Sequence, residues 1–143
     1  MPRAHYLHVT HDFAKPVGPV FEHLSEHENL GGLFGAKVER LNDGDTDRNG
    51  VGSRRRLQVG PTPPFEETVT EFVPNERIEY RITKGSPLKG HVGTMRFSER
   101  PGGGSHLDYK IRLSSRVPGL ALAVKASLTR SMKQNLPKVD AAA

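Results

Sequence analysis

Apolar and polar residues alternate through five consecutive stretches, and the alternation predicts strands at Val51 to Val59, Phe65 to Phe72, Arg77 to Thr83, Val92 to Ser98 and Leu107 to Ser114. Turn-forming runs separate them: Gly60-Pro61-Thr62-Pro63-Pro64, Pro74-Asn75, Gly85-Ser86-Pro87 and Pro101-Gly102-Gly103-Gly104. Such short connections imply antiparallel neighbours. The inner faces read as Ile78, Tyr80 and Ile82, then Met95 and Phe97, then Leu107, Tyr109, Ile111 and Leu113. Upstream, His5 to Phe13 alternates as a first strand, with Leu7, Val9 and Phe13 on one face and His11 between the last two. Lys15-Pro16 opens a helix in which Val20, Phe21 and Leu24 recur at helical spacing to about Ser25. A second short helical piece is expected from Glu26 to Leu30, broken by Gly31-Gly32 and Gly35. A strand follows at Ala36 to Leu41, whose facing is unassignable because Val38 and Leu41 disagree in phase. After Pro118-Gly119 the period becomes four: Leu120, Val124, Leu128, Met132 and Leu136 predict an amphipathic helix with Val124, Leu128 and Met132 toward the sheet.

Charges fall in phase with this apolar pattern. Arg55 shares a face with Val51, Leu57 and Val59, and Glu67 shares one with Val69. Desolvating either alone costs several kcal/mol, roughly, so each must be paired or face a wet cavity. Two readings stay open. The pair fixes strand register, or Arg55 anchors a carboxylate or phenolate while Glu67 holds it in place. His11 and His91 are inward by phase and are either satisfied core residues or groups for proton transfer. Tyr80 and Tyr109 are either core aromatics or hydrogen-bond donors to a ligand. Arg55, Glu67, His11, Tyr80, Tyr109 and Met95 form the candidate ligand-binding set, and His11 and His91 are the candidate catalytic groups.

Composition narrows the classes. The 143 residues suit one domain, 1–143, able to bury roughly 70% of its unfolded surface. Hydrophobic content of 34% and mean hydropathy of −0.57 are lean, as for an interior that is partly cavity. No apolar run approaches the ~20 residues of a bilayer span and no leader-like segment opens the sequence, so a cytoplasmic location without integral membrane association is expected. Zero cysteines exclude disulfides, thiolate nucleophiles and cysteine-ligated metals. The net charge of +5 admits nucleic acid as a partner. However, Arg54, Arg56, Arg81, Arg96, Lys110 and Arg112 are interspersed with Glu66, Glu79 and Asp108 on the outer sheet face, without stacking aromatics. A solvated face is expected there, and no nucleic-acid partner.

Two motifs lead nowhere. Asp45 to Gly50 matches the first half of a calcium loop, but position twelve is Arg56, a cation where a bidentate carboxylate is required. His23 and His27 stand one helical turn apart, near a chelating spacing, and read as surface residues at a helix junction. No metal or cofactor is expected.

The order of elements, with Phe13-Ala14-Lys15-Pro16, Val20-Phe21, Leu24-Ser25, Val51-Gly52-Ser53-Arg54-Arg55, Glu67-Thr68-Val69, Ile78-Glu79-Tyr80, Gly85-Ser86-Pro87-Leu88 and Leu107-Asp108-Tyr109, resembles the START-like, helix-grip domains of the SRPBCC superfamily. More narrowly it resembles the polyketide cyclase/dehydrase group. The resemblance implies an α+β fold: a curved seven-stranded antiparallel sheet wrapped around a long C-terminal helix, two short helices after the first strand, and an apolar cavity between sheet and helix. It implies binding of a hydrophobic small molecule, lipid-like or polycyclic, with a polar or acidic head. A cyclase or dehydratase using inward histidines is the enzymatic alternative. An interaction module, for instance a homodimer joined through the basic face, is the third class, and requires a cavity too small to hold anything.

Overall fold

The computed structural model describes residues 4–60, 63–85, 88 and 90–143. The chain runs β1 (His5–Phe13), α1 (Val17–Ser25), a 3-10 turn (His27–Asn29), α2 (Leu30–Phe34), β2 (Lys37–Asn42), β3 (Arg54–Gln58), β4 (Phe65–Val73), β5 (Arg77–Lys84), β6 (Val92–Glu99) and β7 (Ser105–Leu113). It closes with α3 (Leu120–Asn135), a 3-10 turn (Leu136–Lys138) and α4 (Val139–Ala142). The seven strands form one antiparallel sheet in the order β1-β7-β6-β5-β4-β3-β2. Each hairpin pairs with its sequence neighbour, and β1 returns to close against β7. This is the expected helix-grip architecture.

Alternation puts Leu7, Val9 and Phe13 of β1 and Leu107, Tyr109, Ile111 and Leu113 of β7 on the buried face. Met132 near the end of α3 and Leu136 just after it, with Val20, Phe21 and Leu24 of α1, cover it and join one continuous core. The outer face carries exposed ion pairs, among them Arg54–Glu66 at 3.6 Å and Arg81–Glu79 at 3.1 Å. Those contribute little to stability.

Several local expectations are corrected. β3 begins at Arg54, and Val51 is 45% exposed. Its parity is that of Arg55, but Gly52 takes a φ of 90° and turns the chain before the alternation starts. Gly31 and Gly32 do not break the second helical piece: α2 contains both, and the terminator is Gly35, left-handed at φ 69°. The turns expected at 60–64 and 85–87 fall partly on residues 61, 62, 86 and 87, outside the described residues.

His27 departs furthest from expectation. It is fully buried, whereas a continuous helix from His23 would have kept it at the surface. The helix ends first, because Glu26 is extended at φ −71°, ψ 116°, and the 3-10 turn swings His27 inward. There Nε2 lies 3.0 Å from Ser53 Oγ, whose hydroxyl donates to the Gly50 carbonyl at 2.6 Å. The serine proton is thus committed, so His27 donates through Nε2 and leaves Nδ1 bare. Arg40 locks the same junction from outside, bonding Glu26, Glu28 and Asn49 across the β2–β3 loop.

Candidate ligand-binding site

Between the sheet and the first half of α3 lies a cavity of about 280 Å³. Leu57 and Val59, Phe65 of β4 and Ile111 of β7 form its sheet side; Leu120, Ala123, Val124, Ser127 and Leu128 form its helix side; Phe34 and Leu88 complete the wall. Among the described residues, the polar side chains that enter the wall from the sheet side are Glu67, Tyr80 and His91. The walls are apolar because α3 presents its period-four stripe over a strand face that alternates in the same direction.

Behind those three residues sits a buried polar cluster. Arg55 and Glu67 face each other in register across β3 and β4. Arg55 Nε donates to Glu67 Oε1 at 2.9 Å, and Nη2 approaches the same oxygen at 2.8 Å, off the hydrogen-bond axis. Both side chains are almost wholly buried. The guanidinium also lies over the Tyr80 ring, Cζ 4.6 Å from its centroid, a cation–π contact. The second carboxylate oxygen of Glu67 points the other way, 3.9 Å from His91 Nδ1.

Tyr80 reaches its partner by an unusual route. It lies opposite Gly93 of β6, and the missing side chain lets the phenol lie across that strand to hydrogen-bond the Tyr109 hydroxyl on β7. Any Cβ at Gly93 would fall inside the Tyr80 phenol. Burial drives both phenols up, Tyr80 well above its ordinary value, and so keeps them protonated. Burial lowers the His91 imidazole too; Arg55 adds to that and Glu67 opposes it, so His91 is neutral at pH 7. The cluster therefore holds one cation and one anion, mutually paired, amid neutral hydrogen-bonding groups.

Of the candidate residues, the structure brings Arg55, Glu67, Tyr80, Tyr109 and His91 together. Glu67, Tyr80 and His91 reach the cavity wall; Arg55 and Tyr109 are set behind it. His11 is half-buried and stacks edge-on against Phe13 with centroids 4.7 Å apart, outside the lining. Met95 is buried core opposite Tyr109, likewise outside the lining. Residues 5–143 match the family described as polyketide cyclase / dehydrase and lipid transport. The chain belongs to that family. No curated protein matches it.

Solved structures with the cyclase/dehydrase family's fold carry the same architecture at low identity. A START superfamily protein from Mycobacterium smegmatis is 15% identical over 96% of each chain, with a TM-score of 0.76. The Zhui aromatase/cyclase from Streptomyces sp. R1128 is 19% identical over 97% of this chain and 91% of that one, with a TM-score of 0.69. Norcoclaurine synthase from Thalictrum flavum is 12% identical over 94% and 87%, with a TM-score of 0.65. At such identities the likeness is one of fold. Among the described residues no helix is long and apolar enough to cross a membrane.

The buried histidines of this family member make its stability depend on pH. Burial, reinforced by Arg55, holds the His27 imidazole down at about 3. The unfolded chain takes up that proton near 6.5, roughly. Between those values the unfolded state binds more protons than the folded one. Stability is therefore full above about pH 6.5 and falls as pH drops toward 3, with a limiting slope of about 1.4 kcal/mol per pH unit. Urea midpoints measured from neutral pH downward should show this decline, and His27→Gln should flatten it; an equal slope in the variant would assign the loss to other groups.

Proposed function

We propose that this protein binds a compact apolar small molecule in the cavity between the sheet and α3, as a carrier or sensor. The observation that carries this reading is the cavity itself: apolar walls with Glu67, Tyr80 and His91 as its polar sheet-side groups, the usual make-up of a small-molecule site. Its volume equals that of about nine waters in the liquid, which favours a one- or two-ring molecule over a long-chain lipid. The same volume counts against a pure interaction module, which needed the cavity closed. Cyclase-type chemistry is the second reading, favoured by one observation: His91 is a neutral imidazole on the cavity wall, the state a proton acceptor requires.

An environment-sensitive apolar dye should bind the protein and be displaced by small aromatic hydrocarbons with dissociation constants below about millimolar, some 4 kcal/mol of affinity. Val124→Trp, which fills the cavity from α3, should abolish dye binding while leaving the folded state intact. Equal dye binding by that variant would place the dye elsewhere and defeat the reading. Turnover of a hydroxylated aromatic substrate by the wild-type protein, lost in His91→Leu, would move the assignment to the enzyme class.

A further inference from the structure

From the arrangement of Glu67 and His91 we infer that the cavity selects an uncharged hydroxyl, phenolic or alcoholic, as the head group of its ligand, and discriminates against carboxylates. This rests on the small-molecule reading above and names the chemistry of its polar end.

Glu67 divides its two oxygens. Oε1 is committed to Arg55, and Oε2 faces His91 Nδ1 across 3.9 Å, too far for a direct hydrogen bond. Nδ1 of His91 has no hydrogen-bond partner among the described residues, although the side chain is 5% exposed and borders the cavity. An unpaired polar atom in that position is costly unless something on the cavity side meets it. Nδ1 is itself buried; a turn of the imidazole that opens it to the cavity lets one oxygen lie about 2.8 Å from both groups. A hydroxyl has the matching complement, a proton to give the carboxylate and lone pairs to receive an imidazole N–H.

The alternatives fit worse, each for a separate reason. A carboxylate only accepts, so it cannot satisfy Oε2, and it sets a second anion beside Glu67 in a poorly solvated pocket. Arg55 gives it no rescue, because the guanidinium lies outside the lining, set behind Glu67 and the Tyr80 ring. An ammonium head would pair with Glu67, but it must be stripped of water beside the buried Arg55 cation. An ether accepts without donating and leaves Oε2 unmet. Glu67 thus converts an arginine that would otherwise attract anions into the support of a site that reads a neutral donor–acceptor group.

The test holds the apolar frame fixed and varies the head: naphthalene, naphthol, methoxynaphthalene, naphthoate and naphthylmethylamine, competed against the bound dye near pH 7. There the carboxylate is ionised, the amine protonated and the phenol neutral. Naphthol should bind at least about ten-fold more tightly than each of the other four, the scale of one hydrogen bond to a charged group. In His91→Leu the ratio of naphthol to naphthalene affinity should fall about ten-fold. Naphthoate or naphthylmethylamine binding more tightly than naphthol overturns the inference, as does equal binding of naphthol and naphthalene, and both leave the cavity reading standing. An undiminished naphthol advantage in folded His91→Leu overturns the assignment to this pair. Failure of all five to displace the dye defeats the small-molecule reading, and the inference with it.

Discussion

Replacing Glu67 by leucine should destabilise the protein by about 3–5 kcal/mol, because it leaves the Arg55 guanidinium buried without a counter-charge. The cost arises from the orphaned cation more than from the lost attraction, and that distinction is measurable. Arg55→Met with Glu67→Leu removes both charges and substitutes apolar groups of comparable bulk. The double variant should recover most of the loss and stand within about 1–2 kcal/mol of the parent, since a buried ion pair is often no more stabilising than a well-packed apolar pair. Urea unfolding with an unchanged slope is the measurement, and the coupling between the sites should exceed about 2 kcal/mol. Additive losses below about 1 kcal/mol would mean that the pair is hydrated in solution.

Gly93→Ala should cost about 3 kcal/mol, through a different mechanism. The new methyl falls within the Tyr80 phenol, which is 1% exposed and fixed by Arg55 above and Tyr109 at its tip, so it has nowhere to go. Shrinking the partner should release the strain: in a Tyr80→Leu background the added cost of Gly93→Ala should fall below about 1 kcal/mol. Thermal or urea unfolding of the four proteins decides it. An undiminished penalty would show that the glycine is required for its backbone and not for the room it leaves.

These two sites differ in how openly the sequence announces them. The Arg55–Glu67 pair is legible because a charge in phase with buried residues on two adjacent strands breaks a period-two pattern, and antiparallel pairing brings the two breaks together. The order of strands and the terminal helix are legible for the same reason. The Tyr80–Gly93–Tyr109 arrangement carries a fainter signal. A glycine inside a strand pattern marks close approach of something, but the alternation does not say that a tyrosine from the neighbouring strand fills the space. His27 was concealed by a helix that ends two residues earlier than its spacing to His23 assumes, and His11 by its position near the end of an edge strand, where inward phase no longer means contact with the cavity. Phase gives the face of a residue; what lies over that face depends on how α3 is laid across the sheet.

The two halves of α3 are held very unequally. Met132 and, just past the helix end, Leu136 are sealed in the core and Ser131 Oγ donates to the Leu33 carbonyl at 2.8 Å, whereas the first half rests on the cavity and begins at Gly119 without a side-chain cap. Unwinding from the front end forfeits few packed contacts, so that half should open at a free energy well below global unfolding, in a local event rather than a loss of the fold. Amide hydrogen exchange along the helix should record the difference as protection rising from residue 120 to residue 135. A molecule filling the cavity supplies the contacts that Leu120, Val124 and Leu128 lack in its absence. Where the cavity takes a guest, occupancy would then be written in the exchange rates of one half-helix, whose fraying the guest would suppress.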